Sequence, residues 1–220
     1  AWRNCWRCGG SRIWNPCSMD PHRTYGVREA ATEIARAPSS VSQEFARLRE
    51  AGLVNSRQLP VLPDLFRALA RRWRPESIDV ASLPESGTER PRDPMSAALR
   101  LGFADPEREP GWALSDTLAA IAYGAPLNTS GAYPPEFYVP GRAAMRRARQ
   151  LLGGTTSRED RAATLRVIPV PLITSRRVAW DTEWPLARPR FVALDLAQDP
   201  DRGSEALAAW DPPRRWQRVW

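Results

Sequence analysis

The sequence predicts an α/β (α+β) chain in two parts, a small helical module followed by a mixed α/β module. Three observations predict it. A chain of 220 residues that is 42% hydrophobic suits one large domain or two small ones, each with a real core. Charge divides unevenly: residues 1–74 hold 13 Arg against 6 acidic residues, a net of +7, whereas residues 75–220 hold 19 of each. Finally, residues 20–74 read as short helices and turns, whereas beyond residue 94 helical stripes alternate with short strand-like runs. The expected boundaries are a leader over 1–18, a basic module over 19–74, a linker over 75–94 and an α/β module over 95–220.

Composition excludes several classes. No apolar run approaches the ~18–20 residues that span a bilayer, and the start has no apolar signal-peptide core. Three cysteines do not make a disulfide framework. The expectation is a cytoplasmic, nucleoid-associated protein without a membrane partner. All 32 basic residues are Arg, which reflects coding bias more than physics. A basic third joined to a neutral remainder points to a nucleic-acid-binding module attached to something else.

The stretch VREAATEIARAPSSVSQEFARLREAGLV, residues 27–54, carries the most information. Val27, Ala30, Ala31, Ile34 and Ala35 recur at helical spacing, and Arg36, Ala37 and Pro38 break the pattern. Ser39 or Ser40 is placed to cap a second helix, and Ser40-x-x-Gln43 fits a capping box. Val41, Phe45 and Leu48 form one apolar stripe, and Gly52 ends the helix. Two helices joined by a turn of three to four residues have the helix-turn-helix spacing.

The opposite face of the second helix carries Ser39, Ser40, Ser42, Gln43 and Arg47. Gln reads adenine bidentately, Ser bonds a base edge or a phosphate, and Arg holds phosphate or guanine. Leu53-Val54 and Leu59-x-Val61 then flank Asn55–Gln58 as two short strands around a wing, with Arg57 at its tip. Residues 63–74 form a further helix with Leu65, Phe66, Leu69 and Trp73 inward. Double-stranded DNA is the expected partner, with Ser39, Ser40, Ser42 and Gln43 toward bases and Arg47 and Arg57 on phosphates.

This stretch, with "A-x-x-I…APSSVS…F-x-R-L-x-x-A-G-L-V", resembles the winged helix-turn-helix of bacterial transcriptional regulators. Arg36 stands where such turns often have Gly, and Gln43 where many relatives have Arg. The first 18 residues carry three Trp and two adjacent Gly without helical periodicity. They take the place of the helix that precedes such a pair, and are read as a non-native or disordered leader. Cys5, Cys8, Cys17 and His22 have the C-x2-C-x8-C-x4-H spacing of a zinc site. That reading is set aside, because the one histidine falls inside the regulator-like loop. No metal or other cofactor is expected.

In the second module, GWALSDTLAAIAYGAP predicts a helix from Ser115 to Gly124, and PPEFYVP a short strand bounded by prolines. GRAAMRRARQLLGG predicts a helix with Met145, Ala148 and Leu152 inward. Its row of Arg142, Arg146 and Arg149 is read as a solvated face in preference to a second DNA contact. LRVIPVPLI, residues 165–173, reads as an edge strand because of Pro169 and Pro171, with Arg177–Trp180 pairing across the intervening turn. Residues 188–210 read as two helices broken at Asp199-Pro200. In the linker, Ile78–Val80 has the composition of a short strand.

The segments "SDTLAAIAYGAP…FYVP" and "WPLARPRFVALDLAQDPDRGSEAL" are similar to the carboxy-terminal domain of AbiEi-family antitoxins of type IV toxin–antitoxin systems and to related actinobacterial winged-helix regulators. The resemblance implies an α/β domain behind a winged helix and a repressor that controls its own operon, and as an alternative an antitoxin with a toxin partner encoded nearby. A palindromic operator would imply a homodimer. A nucleotidyltransferase-like enzyme is the remaining rival. Its candidate carboxylates are Asp116, Asp181, Asp195 and Asp199, with Asp195 and Asp199 at i, i+4 spacing. No phosphate-binding loop or nucleophile elbow is present, and His22 is the single histidine, so a histidine-based triad has no member in this module. The expectation is a non-enzyme.

Overall fold

Helix α1 (Val27–Glu33) and helix α2 (Pro38–Glu50) open the described part of this computed structural model, which covers residues 24, 26–33, 36–84, 98–103, 105–127 and 133–220. The zinc-like set Cys5, Cys8, Cys17 and His22, the leader, and Ile34 and Ala35 lie outside the described residues. The chain divides into two units, one of residues 1–72 with 217–220 and one of residues 73–216. It is a mixed α/β protein with eight helices and one five-stranded mixed sheet among the described residues.

In the first unit the apolar stripes meet as their spacing requires. Ala30 and Ala31 of α1 pack with Val41, Phe45 and Leu48 of α2 and with Val54, flanked by Val27 and Leu53. Helix α2 starts differently from the sequence expectation. Its N-cap is Ala37 and Pro38 occupies its first turn, with no side chain capping it. Proline suits that position because it has no N–H to satisfy and its φ is already helical. Ser39 and Ser40 therefore lie inside the first turn, and the Ser40–Gln43 capping box does not form.

The other end closes as a Schellman turn. Gly52 at φ +70° donates to the Arg49 carbonyl at 2.9 Å, and Leu53 N–H reaches the Leu48 carbonyl at 2.9 Å. A tight reversal follows. Val54 and Pro60 form a single antiparallel bridge rather than two strands. Asn55 organises the turn: its carbonyl accepts from Gln58 N–H at 3.0 Å, and its side-chain oxygen accepts from the N–H groups of Arg57 and Leu59. Helix α3 (Asp64–Ala70) buries Leu65, Phe66 and Leu69, and the ring of Trp220 packs 6.1 Å from that of Phe66.

The second unit is built on strands β1 (Ser77–Val80), β2 (Ala113–Ser115), β3 (Glu136–Val139), β4 (Gly154–Thr155) and β5 (Ala163–Val167), in the order β2-β3-β5-β1-β4. The β3–β5 pair is parallel and the others are antiparallel. Its connection runs through helix α5 (Arg142–Leu152), the crossover that a parallel pair needs. Helix α4 (Asp116–Ala122) follows β2 directly. Helices α6 (Leu172–Ser175), α7 (Pro189–Leu196) and α8 (Arg202–Ala209) complete the unit. From Phe191 to Leu196, α7 is buried throughout.

Four expectations are corrected here. Ser77–Val80 bears out the short strand expected over Ile78–Val80 but, within the stretch expected to link the modules, it is an interior strand of the sheet. Strand β5 is also interior, because it ends at Val167, before Pro169 and Pro171, and Pro171 instead caps α6. Val178 pairs with Leu186 rather than with β5. Trp73, expected on the inward face of a 63–74 helix, falls beyond α3 and belongs to the second unit. By contrast, the break at Asp199-Pro200 stands, and the Asp199 carboxylate accepts from the N–H groups of Asp201 and Arg202 at the start of α8.

Strand periodicity gives the sheet two unlike faces. Register places Ser115, Glu136, Tyr138, Thr164, Arg166, Ser77 and Asp79 on one face and Leu114, Phe137, Val139, Leu165, Ile78 and Val80 on the other. Beside the sheet, Arg177 is buried and ties down the loop before β2. Its guanidinium donates to four carbonyls, those of Leu101 (2.8 Å), Trp112 (3.0 Å), Gly102 (2.5 Å) and Glu109 (2.7 Å). Gly102 and Gly111 line this clamp, and a Cβ on Gly111 would strike the Leu101 carbonyl.

Candidate nucleic-acid interface

Helix α2 separates its surfaces cleanly. Val41, Phe45 and Leu48 are buried in the first unit, while Ser39, Ser40, Ser42, Gln43 and Arg47 are exposed. Its first turn carries no acidic residue and no side-chain cap, and its last turn carries Arg47 and Arg49. An uncapped helix N-terminus presents N–H groups and a partial positive charge, which suit an anion. Five of the six expected DNA-facing residues thus share one helix face or its edge. Arg57 lies apart, exposed on the Asn55–Gln58 turn.

One assignment changes in detail. The Arg47 guanidinium is not free in this structure but pairs with Glu44 one turn earlier, at 2.8 Å. The Arg47 side chain is 53% exposed, and ion pairs of this kind contribute little to stability.

The second unit holds a polar cluster that local sequence reasoning missed. The Asp195 carboxylate, wholly buried, accepts from four donors: Ser115 Oγ on one oxygen, and Tyr138 Oη (2.5 Å), Trp73 Nε1 (2.8 Å) and Arg166 Nη1 (3.0 Å) on the other. Arg166 also pairs with Glu136 and, at 3.4 Å, with Asp116. Asp116 sits at φ +51°, a left-handed conformation that Asp tolerates better than most residues, at the junction of β2 and α4. Three carboxylates therefore surround one guanidinium.

Electrostatics follow from that imbalance. Burial pushes Glu136 up to about 8, with the neighbouring charges of Asp116 and Asp195 adding to it and Arg166 opposing it. Burial also raises Asp195, against the pull of Arg166, Ser115 and Tyr138. Tyr138 is held well above its ordinary range by burial and by Asp195. Because folded Glu136 binds its proton more tightly than the unfolded chain does, its contribution to stability is full below about 4.5 and is lost as pH rises toward about 8. Urea unfolding across pH 5 to 8.5 should show stability falling with pH in the parent and a shallower fall in Glu136→Gln. Equal slopes would remove this assignment.

Among the four carboxylates considered as catalytic candidates, Asp116 and Asp195 meet at Arg166 while Asp181 and Asp199 do not join them. The i, i+4 pairing of Asp195 with Asp199 does not form, since α7 ends at Leu196 and Asp199 serves α8. Both oxygens of Asp195 are engaged by protein donors, so its geometry is that of a group holding β2, β3 and β5 to α7. No group of three or more metal-ligating side chains occurs among the described residues. None of the helices there is long and apolar enough to cross a membrane.

Comparison with known proteins adds no relative: no family model matches the chain, and neither the curated proteins nor the solved structures give a match.

The polar cluster did leave a trace in the sequence. Ser77 and Asp79, Glu136 and Tyr138, and Thr164 and Arg166 alternate with apolar residues along short strands. That alternation normally marks a solvent-facing side. Here α7 covers part of it.

Proposed function

We propose that the chain is a sequence-specific DNA-binding transcriptional regulator, a repressor, whose first unit is a winged helix-turn-helix that lays α2 in the major groove. One observation carries the reading. Helix α2 buries one stripe against α1 and leaves Ser39, Ser40, Ser42 and Gln43 exposed beside an uncapped N-terminus. A helix fits the major groove of B-DNA, and recognition helices contact bases through their N-terminal residues.

The roles follow from side-chain chemistry. Gln43 offers an acceptor and two donors, the pattern that reads adenine. Ser39, Ser40 and Ser42 bond base edges or phosphate oxygens. Arg47 releases Glu44 for a phosphate, and Arg57 brings a second cation on the turn that acts as the wing. The concentration of net positive charge in residues 1–74 supports the same partner.

Fluorescence anisotropy with duplex DNA from upstream of the chain's own gene tests this. Gln43→Ala should cost roughly 10- to 100-fold in affinity for that site and little on scrambled DNA. Arg47→Ala should weaken both and lower the salt dependence by about one phosphate contact. Folded variants that bind both duplexes like the parent would contradict the assignment of α2.

A further inference from the structure

The second unit carries no excess charge overall, yet it concentrates four arginines on one helix. Helix α5 reads RAAMRRARQLL and contains no acidic residue. Met145, Ala148 and Leu152 are buried. Arg142, Arg146, Arg147 and Arg149 are exposed. Arg142, Arg146 and Arg149 fall at i, i+4 and i+7, so they form one row along the helix, successive members about one turn apart.

This row is unfavourable for the helix itself. Like charges at i, i+4 and i, i+3 repel, and Arg142 opens the helix at the end where a cation opposes the dipole. Only Arg142 has a carboxylate partner among the described residues, Glu76 at 2.8 Å, and both side chains are at least half exposed. Arg146, Arg147 and Arg149 form no ion pair there. Two other arginines of this unit are enclosed instead, Arg166 by carboxylates and Arg177 by carbonyls. A solvated face needs charge but gains nothing from a single sign in one row.

We propose that the exposed arginine row of α5 is a second, sequence-independent DNA contact that grips the phosphate backbone. A guanidinium fork matches phosphate oxygens bidentately, and a row of one sign suits the uniformly anionic backbone of duplex DNA. The contact takes duplex DNA as its ligand from the function proposed above, and does not depend on α2 being the reading helix.

The test uses the full chain with Arg146→Ala and Arg149→Ala combined. Alanine is the better helix former, so α5 is retained, and circular dichroism melting checks it. Anisotropy is measured on the upstream duplex and on a scrambled duplex over a range of salt. The double variant should bind both duplexes more weakly by the same factor, about sixty-fold at 0.1 M salt, and the slope of log affinity against log salt should fall by about two. An unchanged affinity and slope would overturn the α5 contact while leaving α2 standing. Weakening by the α5 variant with none by Gln43→Ala would support α5 and remove α2. A folded parent that binds neither duplex would overturn both.

Discussion

Asp195→Ala should destabilise the second unit by about 3–5 kcal/mol, the range for removing one partner of a buried ionic network. The carboxylate is fully enclosed and receives Ser115, Tyr138, Trp73 and Arg166. Truncation leaves four donors facing a void, and Arg166 must rely on Asp116 and Glu136 alone. Trp73 stacks on Phe191 and meets Tyr138 edge-on, so its fluorescence reports the loss directly. Asp195→Asn should cost less but still destabilise, because an amide nitrogen turns a donor toward existing donors. Chemical denaturation of both variants measures this. A stability within about 1 kcal/mol of the parent for Asp195→Ala would contradict the packing role.

Arg177→Leu should have an effect of similar size, a loss of at least about 3 kcal/mol, for the opposite electrostatic reason. Here a buried cation is held by carbonyl dipoles rather than by a carboxylate. Burial lowers Arg177 to about 10, with Glu109 and Asp105 pulling the other way, so it remains charged at neutral pH. Leucine leaves the carbonyls of Leu101, Gly102, Glu109 and Trp112 without this donor in a region where the glycines already touch. Arg177→Lys, with one ammonium in place of a fork, should recover only part of the loss. Hydrogen exchange should show the 101–112 segment opening first in either variant. Retained protection there would show that the clamp is dispensable.

What the sequence revealed depended on the range of the interaction. Helices α2 and α5 are legible because their apolar stripes repeat within one segment, and α7 and α8 because Asp199-Pro200 separates them locally, as Gly52 ends α2. The start of α2 is ambiguous in the sequence because Pro38 suits either the break after one helix or the first turn of the next, and the structure takes the second. Pro169 and Pro171 extend the apolar run of a strand in the sequence, yet they lie beyond its end at Val167. The partners of Asp195 come from residues 73, 115, 138 and 166; strand alternation marks Tyr138 and Arg166 as sharing a polar face, but no local period says that they converge on Asp195. Arg177 was invisible for a related reason: its acceptors are backbone carbonyls, which carry no sequence signal. The exposed residues of α2 were legible as chemistry, but the Arg47–Glu44 pair required coordinates.

The central claim is that this chain recognises DNA by sequence. The most direct test is a salt titration of the unaltered full chain, by anisotropy, on its own upstream duplex and on a scrambled duplex of equal length. Affinity should fall steeply and linearly in log salt on both, with the upstream site tighter by a factor of about 10³ or more. Equal affinity on the two duplexes, or no binding by a folded protein at low salt, would contradict it.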